Sequence, residues 1–322
     1  MSGVKINTVT GPIVSGDLGK TLMHEHLVAR LSGRETDESF ADASPDEMIA
    51  ICIDRIEEMK SAGFTSMIDP CPIDLGRDVR LAQQVASRTG FNIIAATGLF
   101  NAEFGAAHWR MKFQFRPHDF IERTAEFFVK EIAAGIDGTD IKAGIIKVAT
   151  GHPVITDYER AVLNAAAIAS LATGVPITTH TDGVLGDEQI AILKNAGVSP
   201  HRIIVGHSCC SDDHDYHMRI IDGGAYIGFD RFGDEFMQSD EVRVRSLFKL
   251  IGKGALQRVI VSHDSLACRR GLPPEVSTHS PLHFTRTIVP ILQQSGIDDQ
   301  QIDVMLIDNP GRYFSQGRAM GV

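Results

Sequence analysis

Five short apolar runs in this chain end in side chains able to bind a cation or move a proton. The first reads Thr-Leu-Met-His24-Glu25-His26-Leu; the others read Ile-Ile-Lys147, Ile-Thr-Thr-His180, Ile-Val-Gly-His207 and Ile-Val-Ser-His263-Asp264. In a strand, residues two apart face the same side, so His24 and His26 aim two imidazoles at one point. A lone histidine such as His180 or His207 is commonly a satisfied core residue. The series is a different matter. Imidazoles and a carboxylate converging from several strand ends would leave buried polar groups unpaired unless a cation joined them. The pattern therefore predicts a metal centre.

Lys147 is the unusual member. It ends Gly-Ile-Ile, where an ammonium aimed into a packed interior is costly to desolvate. Three readings compete. It could pair with a carboxylate such as Asp264, or act as a neutral amine that forms a Schiff base. Or the neutral amine could take up carbon dioxide, giving a carbamate whose two oxygens bridge two cations. The neighbouring histidines favour the carbamate, since a Schiff-base lysine has no use for four imidazoles.

These tips need elements to hold them. Eight short runs rich in Ile, Val and Thr (21–27, 65–69, 92–97, 143–149, 176–181, 202–207, 225–230 and 258–264) read as strands buried on both faces. Helical patterns lie between them. Ser44-Pro45-Asp46-Glu47 is a capping box with Pro at the first helical position, and Gly63 closes that helix. Ile49, Cys52, Ile53, Ile56 and Met59 give it an apolar stripe at helical spacing. Thr156 with Glu159 repeats the box and Gly174 ends the Ala-rich helix that follows; 187–196 and 240–251 read the same way. Lys5 to Gly16 reads as a small hairpin ahead of the main fold.

Strands alternating with helices predict an α/β fold, a (β/α)8 TIM barrel with a short N-terminal β-hairpin. An open doubly wound sheet would be expected to carry a glycine-rich fingerprint after its first strand, and none is present. With no Pro-, Gly- or Ser-rich linker, residues 1–322 read as a single barrel domain. Segments 99–120, 231–239 and 265–283 break the rhythm after strands three, seven and eight. They read as rim loops on the face where barrel active sites assemble.

The 322 residues, 43% hydrophobic and 22% charged, can bury a large core. A net charge of −10 argues against a nucleic-acid or acidic-membrane partner. Cys52, Cys71, Cys209, Cys210 and Cys268 are odd in number and lack paired metal-site spacing, so reduced thiols and a cytoplasmic setting are expected. No secretory signal is legible at the N-terminus, and no stretch reaches the ~18 apolar residues of a membrane span.

His24-Glu25-His26, Gly-Ile-Ile-Lys147-Val-Ala-Thr, Thr-Thr-His180-Thr, Gly-His207-Ser and Ser-His263-Asp264 together resemble the phosphotriesterase and phosphotriesterase-like lactonase group of the amidohydrolase superfamily. The resemblance runs from about Val9 to Phe314. It implies a barrel holding two divalent metal ions bridged by a carboxylated lysine and a hydroxide. His24, His26 and Asp264 would bind the buried ion, His180 and His207 the exposed one, and N6-carboxylated Lys147 both. The implied chemistry is hydrolysis by the bridging hydroxide, with the exposed ion polarising the oxygen under attack and Asp264 taking the proton. Zinc is the expected ion, with cobalt, manganese or iron also compatible with such ligands. Dimers are common in the group, so a homodimer is implied.

The rim decides the substrate. Arg231, after Gly228-Phe229-Asp230, resembles the arginine of lactonase-type members. Aryl-phosphotriesterase specialists carry histidine there, relayed to an aspartate after the strand-six histidine. Here that region reads His207-Ser208-Cys209-Cys210, without a carboxylate. Phe100 stands where lactonases commonly have Tyr and the specialists Trp, and so lacks a hydroxyl for a lactone ring oxygen. The favoured reading is a hydrolase of lactones or simple carboxylate esters with slow phosphotriester or phosphonate-ester hydrolysis. A true phosphotriesterase is the alternative, and a non-catalytic ligand-binding barrel the third. Substrate contacts are expected from Arg231, Phe100, Trp109 and Cys268, with Phe104, Phe229 and Phe232 as further candidates for an apolar wall. Glu25 reads as half of a structural pair and Asp230 as a buttress for Arg231. His214, His217, His279 and His283 read as solvated.

Overall fold

The computed structural model describes residues 3–33, 43–271 and 279–316. An N-terminal antiparallel hairpin, β1 (Lys5–Thr8) and β2 (Gly11–Val14), precedes the main sheet. The sheet itself holds eight parallel strands: β3 (Thr21–Leu22), β5 (Ser66–Asp69), β6 (Asn92–Leu99), β7 (Ile145–Ala149), β8 (Ile177–His180), β9 (Ile203–Val205), β10 (Tyr226–Phe229) and β11 (Val259–Val261). They pair strictly in chain order, as a (β/α)8 barrel requires. Helices surround them: α1 (Pro45–Ser61), α2 (Val79–Thr89), α3 (Ala107–Phe115), α4 (Phe120–Ala133), α5 (Asp157–Thr173), α6 (Gly186–Asn195), α7 (His214–Asp222) and α8 (Asp240–Gly252), then the short C-terminal α9 (Val289–Gln294), α10 (Asp299–Asp303) and α11 (Asn309–Ser315).

Local chemistry explains these elements. Both predicted capping boxes form, Ser44 with Glu47 and Thr156 with Glu159, each satisfying backbone N–H groups that a helix start leaves without partners. Gly174 ends α5 in the left-handed conformation. On α1 the buried stripe is Met48, Ile49, Cys52, Ile56 and Met59; the expected Ile53 sits at its half-buried edge.

The strands sort their side chains by the period of two. Ile68, Ile94, Ala96, Ile145, Ile204, Tyr226 and Ile260 fill the barrel interior with Ile6 of the hairpin and Tyr313 and Phe314 of α11. Met67, Ile93, Ala95, Ile146, Ile203, Ile227 and Val259 pack outward under the helices. Each fully buried Ile or Val contributes about 1.5–3 kcal/mol relative to exposure. Two residues beyond Ile145, the next inward position on β7 is Lys147.

The structure corrects strands one and eight. Their expected spans, 21–27 and 258–264, are not continuous: each ladder stops and a second parallel pair begins, β4 (Glu25–Ala29) with β12 (Ser265–Arg269), Ser265 opposite Glu25. The first five residues of the expected 265–283 loop are therefore strand. At the break the seam is stitched by His24 N–H to Ser262 Oγ at 3.0 Å and Asp264 N–H to the His24 carbonyl at 3.0 Å. The 99–120 segment likewise contains α3. No helix among the described residues is long and apolar enough to cross a membrane.

Candidate metal centre

All six residues named as ligands come together at the C-terminal mouth, with Asp264 in the middle. Its Oδ1 lies 3.4 Å from His24 Nε2 and 3.2 Å from His26 Nε2, and its Oδ2 lies 3.8 Å from His207 Nε2. One potential donor atom each from His24, His26 and Asp264 falls within 4.8 Å of the others. Lys147 Nζ stands 3.4 Å from His24 Nε2 and donates to the Thr179 carbonyl at 3.2 Å. The His180 ring packs edge-on against His207, centroids 4.6 Å apart.

Backbone strain aims two of these groups. His207 and Asp264 have φ of 58° and 54°, the left-handed region few non-glycine residues enter; each costs on the order of 1–3 kcal/mol. Both stand where a strand has just ended, and the turn throws the side chain across the mouth. Close packing places Lys147: a Cβ on Gly98, the neighbouring residue on β6, would sit 1.7 Å from the Lys147 carbonyl oxygen.

A second ring of carboxylates orients the imidazoles. Asp230 accepts from His24 Nδ1 at 3.0 Å and from His207 Nδ1 at 3.1 Å, and also takes the His207 backbone N–H at 2.7 Å. Asp69 accepts from His26 Nδ1 at 3.2 Å. A carboxylate only accepts, so each Nδ1 carries the proton; Nε2 of His24 and of His207 keeps a lone pair for a cation, while His26, held charged between Asp69 and Asp264, also donates from Nε2 to Asp264 at 3.2 Å. His180 is tied differently, with Nε2 3.3 Å from Asp182 Oδ1, which leaves Nδ1 as its other ring nitrogen. Asp69, Asp182 and this role of Asp230 were not anticipated. A signal did exist, since Asp69 ends β5 and Asp230 directly follows β10, the same tip positions that flagged the ligands. Asp230 serves the two histidines rather than buttressing Arg231.

The protonation states suit cation binding. Burial lowers the Lys147 amine to about 8, so the neutral form a carbamate needs is accessible. Burial, reinforced by the Lys147 charge, lowers His24; burial takes His180 down to about 4 and, with Arg231, holds His207 well below the usual range. His26 goes the other way: burial opposes its charge, but its bonds to Asp264 and Asp69 hold it well above. Burial also opposes ionisation of Asp264 and Asp230, yet the imidazoles around them, His207 foremost, with Arg231 beside Asp264, keep both well below the carboxylate range. Mostly neutral imidazoles, an ionised aspartate and a lysine whose neutral form is within reach make up a donor set that fits borderline divalent ions.

The Lys147–Asp264 ion pair, one of three readings for that lysine, does not form. No carboxylate of the described residues lies within 4.0 Å of Nζ; Asp264 instead takes Arg231 Nε at 3.0 Å. Arg231 also reaches Cys210 Sγ, 3.7 Å from Nη1, and the Phe100 ring meets His180 at 4.8 Å. The remaining substrate-contact expectations are placed elsewhere. Trp109 packs on Phe127 and under Lys112, lining an outer groove of about 610 Å³ between α3 and α4. Cys268 is buried in the apolar layer between strands and helices, because strand alternation on β12 turns it outward. Phe229 and Phe232 lie in that same layer, and Phe104 is exposed.

Glu25 is a structural pair, as expected, with His263: Oε1 accepts His263 Nδ1 at 2.7 Å. The solvated reading fails for three histidines. His217 is fully buried and bonds the Ser208 carbonyl at 2.9 Å. His279 bonds the His263 carbonyl and His283 bonds Asp240, both partly buried. Their polar sequence surroundings did not reveal that α8 and the rim would fold over them.

A (β/α)8 barrel that gathers imidazoles, a lysine and an aspartate at its strand ends defines the class of barrel hydrolases. Within that class the chain belongs to the phosphotriesterase family, whose model matches residues 4–314. The phosphotriesterase homology protein of Mycobacterium tuberculosis is 35% identical over 319 residues, covering 97% of this chain and 98% of its own. An organophosphorus hydrolase from Deinococcus radiodurans superposes with a TM-score of 0.92 at 34% identity, over 97% of each chain. A multiply substituted PTE-like lactonase from the same organism gives 0.91 at 33% identity, over 96% of this chain and 99% of that one.

Proposed function

We propose that this phosphotriesterase-family hydrolase opens lactones or carboxylate esters, with slower cleavage of phosphotriesters and phosphonate esters. The observation that carries the chemistry is the convergence of the Nε2 atoms of His24, His26 and His207 on one aspartate while their outer nitrogens are tied back. His24, His26 and Asp264 would hold one divalent ion, His180 and His207 a second, and carboxylated Lys147 would join them. Bound there, the ions would ionise water near neutral pH and polarise the ester oxygen.

The chain's own groups do the rest. The neutral Lys147 amine would attack carbon dioxide: the N–C bond forms as one C=O π pair moves onto oxygen, an amine proton passes to water, and an anionic carbamate is left. Asp264 is held ionised and points at the centre, placed to take the proton from the attacking water. Arg231 grips Asp264 from the rim and sets a cation beside the developing charge on the scissile oxygen. Phe100 closes the side next to His180 and excludes water from it.

Arg231 supports the ester or lactone reading, because its partner across the mouth is the Cys210 thiol, where among the described residues no relay carboxylate takes that place. The names of the two Deinococcus radiodurans neighbours, one a lactonase and one an organophosphorus hydrolase, are in keeping with both kinds of substrate. Assays of a γ-lactone, an aryl acetate and an aryl dialkyl phosphate, with metal content measured on the same sample, test the ranking. The lactone or the ester should be fastest. A faster triester would make phosphotriesterase the primary activity. Inactivity on all three at full occupancy would leave a binding barrel.

A further inference from the structure

The end of the barrel opposite the metal centre carries cations without counter-charges. Arg202 immediately precedes β9, Tyr226 opens β10 and Arg258 immediately precedes β11, so the N-terminal ends of three successive strands present them. Arg258 is level with Tyr226 in the β10–β11 register and covers its ring, the guanidinium carbon 5.2 Å from the centroid. A third guanidinium comes from α11. Asn309 Nδ2 fastens that helix by donating to the Leu256 and Val259 carbonyls at 2.9 and 2.7 Å. Arg312 Nη1 then donates to Asn309 Oδ1 at 2.8 Å and to the Gln257 carbonyl at 3.3 Å, which sets it against the segment bearing Arg258. Arg202 is held by the Ser170 and Val175 carbonyls, each 3.2 Å from Nη2. No carboxylate of the described residues lies within 4.0 Å of any of these three guanidinia.

Acceptors are what this end lacks. Tyr226 is fully buried, and its hydroxyl has no hydrogen-bond partner among the described residues; the same holds for Arg258 Nη1 and Arg202 Nε, both buried atoms. Burial pushes the Tyr226 phenol up, and the charges of Arg258 and Arg312 beside it pull the other way. A guanidinium only donates, so the phenol oxygen can accept from it while the phenol hydrogen still needs an acceptor. Leaving such donors unpaired costs their desolvation. The adjoining Tyr313 is the contrast, since its hydroxyl donates to the Ile177 carbonyl at 2.7 Å. We propose that this end of the barrel binds a small dianionic oxyanion of the phosphate kind, held between the Arg258 and Arg312 guanidinia with the Tyr226 hydroxyl donating to it. Two planar forks suit a ligand with several acceptor oxygens, and Arg202 adds a further positive charge on the neighbouring strand end. Bound there, the anion joins β10, β11 and α11.

The test is isothermal titration calorimetry of the intact protein with inorganic phosphate and with acetate, at fixed ionic strength. Wild type should show a saturable phosphate site that binds acetate more weakly, because two guanidinia attract a dianion more than a monoanion. Arg258→Ala and Arg312→Ala should each weaken phosphate binding by about tenfold or more. Tyr226→Phe removes only the hydroxyl and should weaken it by about tenfold, the worth of one hydrogen bond to a charged group; it serves if an arginine variant does not fold. Phosphate should also raise the melting temperature of wild type along a saturating curve, as a ligand of the native state does. The general effect of an excluded anion would instead persist in all three variants. Phosphate seated at the mouth would bind the variants as it binds wild type. No saturable binding, binding that the three substitutions leave within about twofold of wild type, or acetate held as tightly as phosphate overturns the proposal.

Discussion

Lys147 is the residue on which the two-ion reading turns. A lysine whose amine burial lowers to about 8, 3.4 Å from the His24 imidazole and bonded to no carboxylate of the described residues, has a neutral form within reach near neutral pH and suits an amine that is converted. Lys147→Ala should reduce bound metal from two equivalents to one or none, read by elemental analysis, and lower kcat/KM more than about a hundredfold. Asp230→Ala should act one shell out. It strips the acceptor from both His24 and His207, and such partners are worth roughly 10–100-fold in metal affinity or activity, measurable by chelator competition. His26 adds a pH dependence with a definite sign. Its folded pKa is raised, so in the metal-free chain its bonds to Asp69 and Asp264 stabilise below the ordinary histidine value and fade as pH rises through the folded one. A metal must displace that proton. Affinity should therefore climb with pH through this range, by about tenfold per unit for one proton released. A flat profile between pH 6 and 8 would rule out His26 as a ligand.

Among elements, the seam between β3 and β11 is the one a regular barrel would close with a ladder and this chain closes with Glu25. Its carboxylate accepts from Ser262 Oγ, from His263 N and Nδ1, and from Ser265 N and Oγ. The seam also carries His24 and Asp264, so the group that closes the barrel positions two of the candidate ligands. Glu25→Ala leaves these donors buried and unpaired; urea denaturation should show a loss of about 3–5 kcal/mol. Burial opposes the charge on Glu25, but His263 and the serines outweigh it and hold the pKa down. That stabilisation is complete above the normal carboxylate range and is lost as pH falls through the lowered value, so acid should open this seam. The other deviations from sequence expectation sit on elements with the same cause. Strands one and eight were legible as apolar runs, but their interruption at Met23–His24 and at Ser262–Asp264 was not. A break in a ladder depends on which neighbour the strand meets next, and here β4 leaves the barrel to pair with β12.

At the scale of the whole molecule, two ions gripped by residues from β7 and β8 and from the ends of strands one, six and eight would tie distant parts of the chain together. Removing them with a chelator should lower the melting temperature by several degrees, since each site adds about 2.7 kcal/mol at a hundredfold excess over Kd. No shift, with metal shown to have left, would mean that the protein matrix alone holds the mouth in place. The sequence by itself determined the strand–helix alternation, the capped helices, the family and the order of six chemically able side chains. Those depend on residue type and short-range period, which a linear text preserves. Only the tertiary structure decided what stands behind the site: Asp230 shared by two histidines, Asp69 on His26, Asp182 on His180, Arg231 on Asp264, and Trp109 and Cys268 turned away from the mouth. These contacts join residues up to 206 positions apart. Their partners are selected by which side chains the closed barrel leaves within hydrogen-bond reach, and no local spacing encodes that.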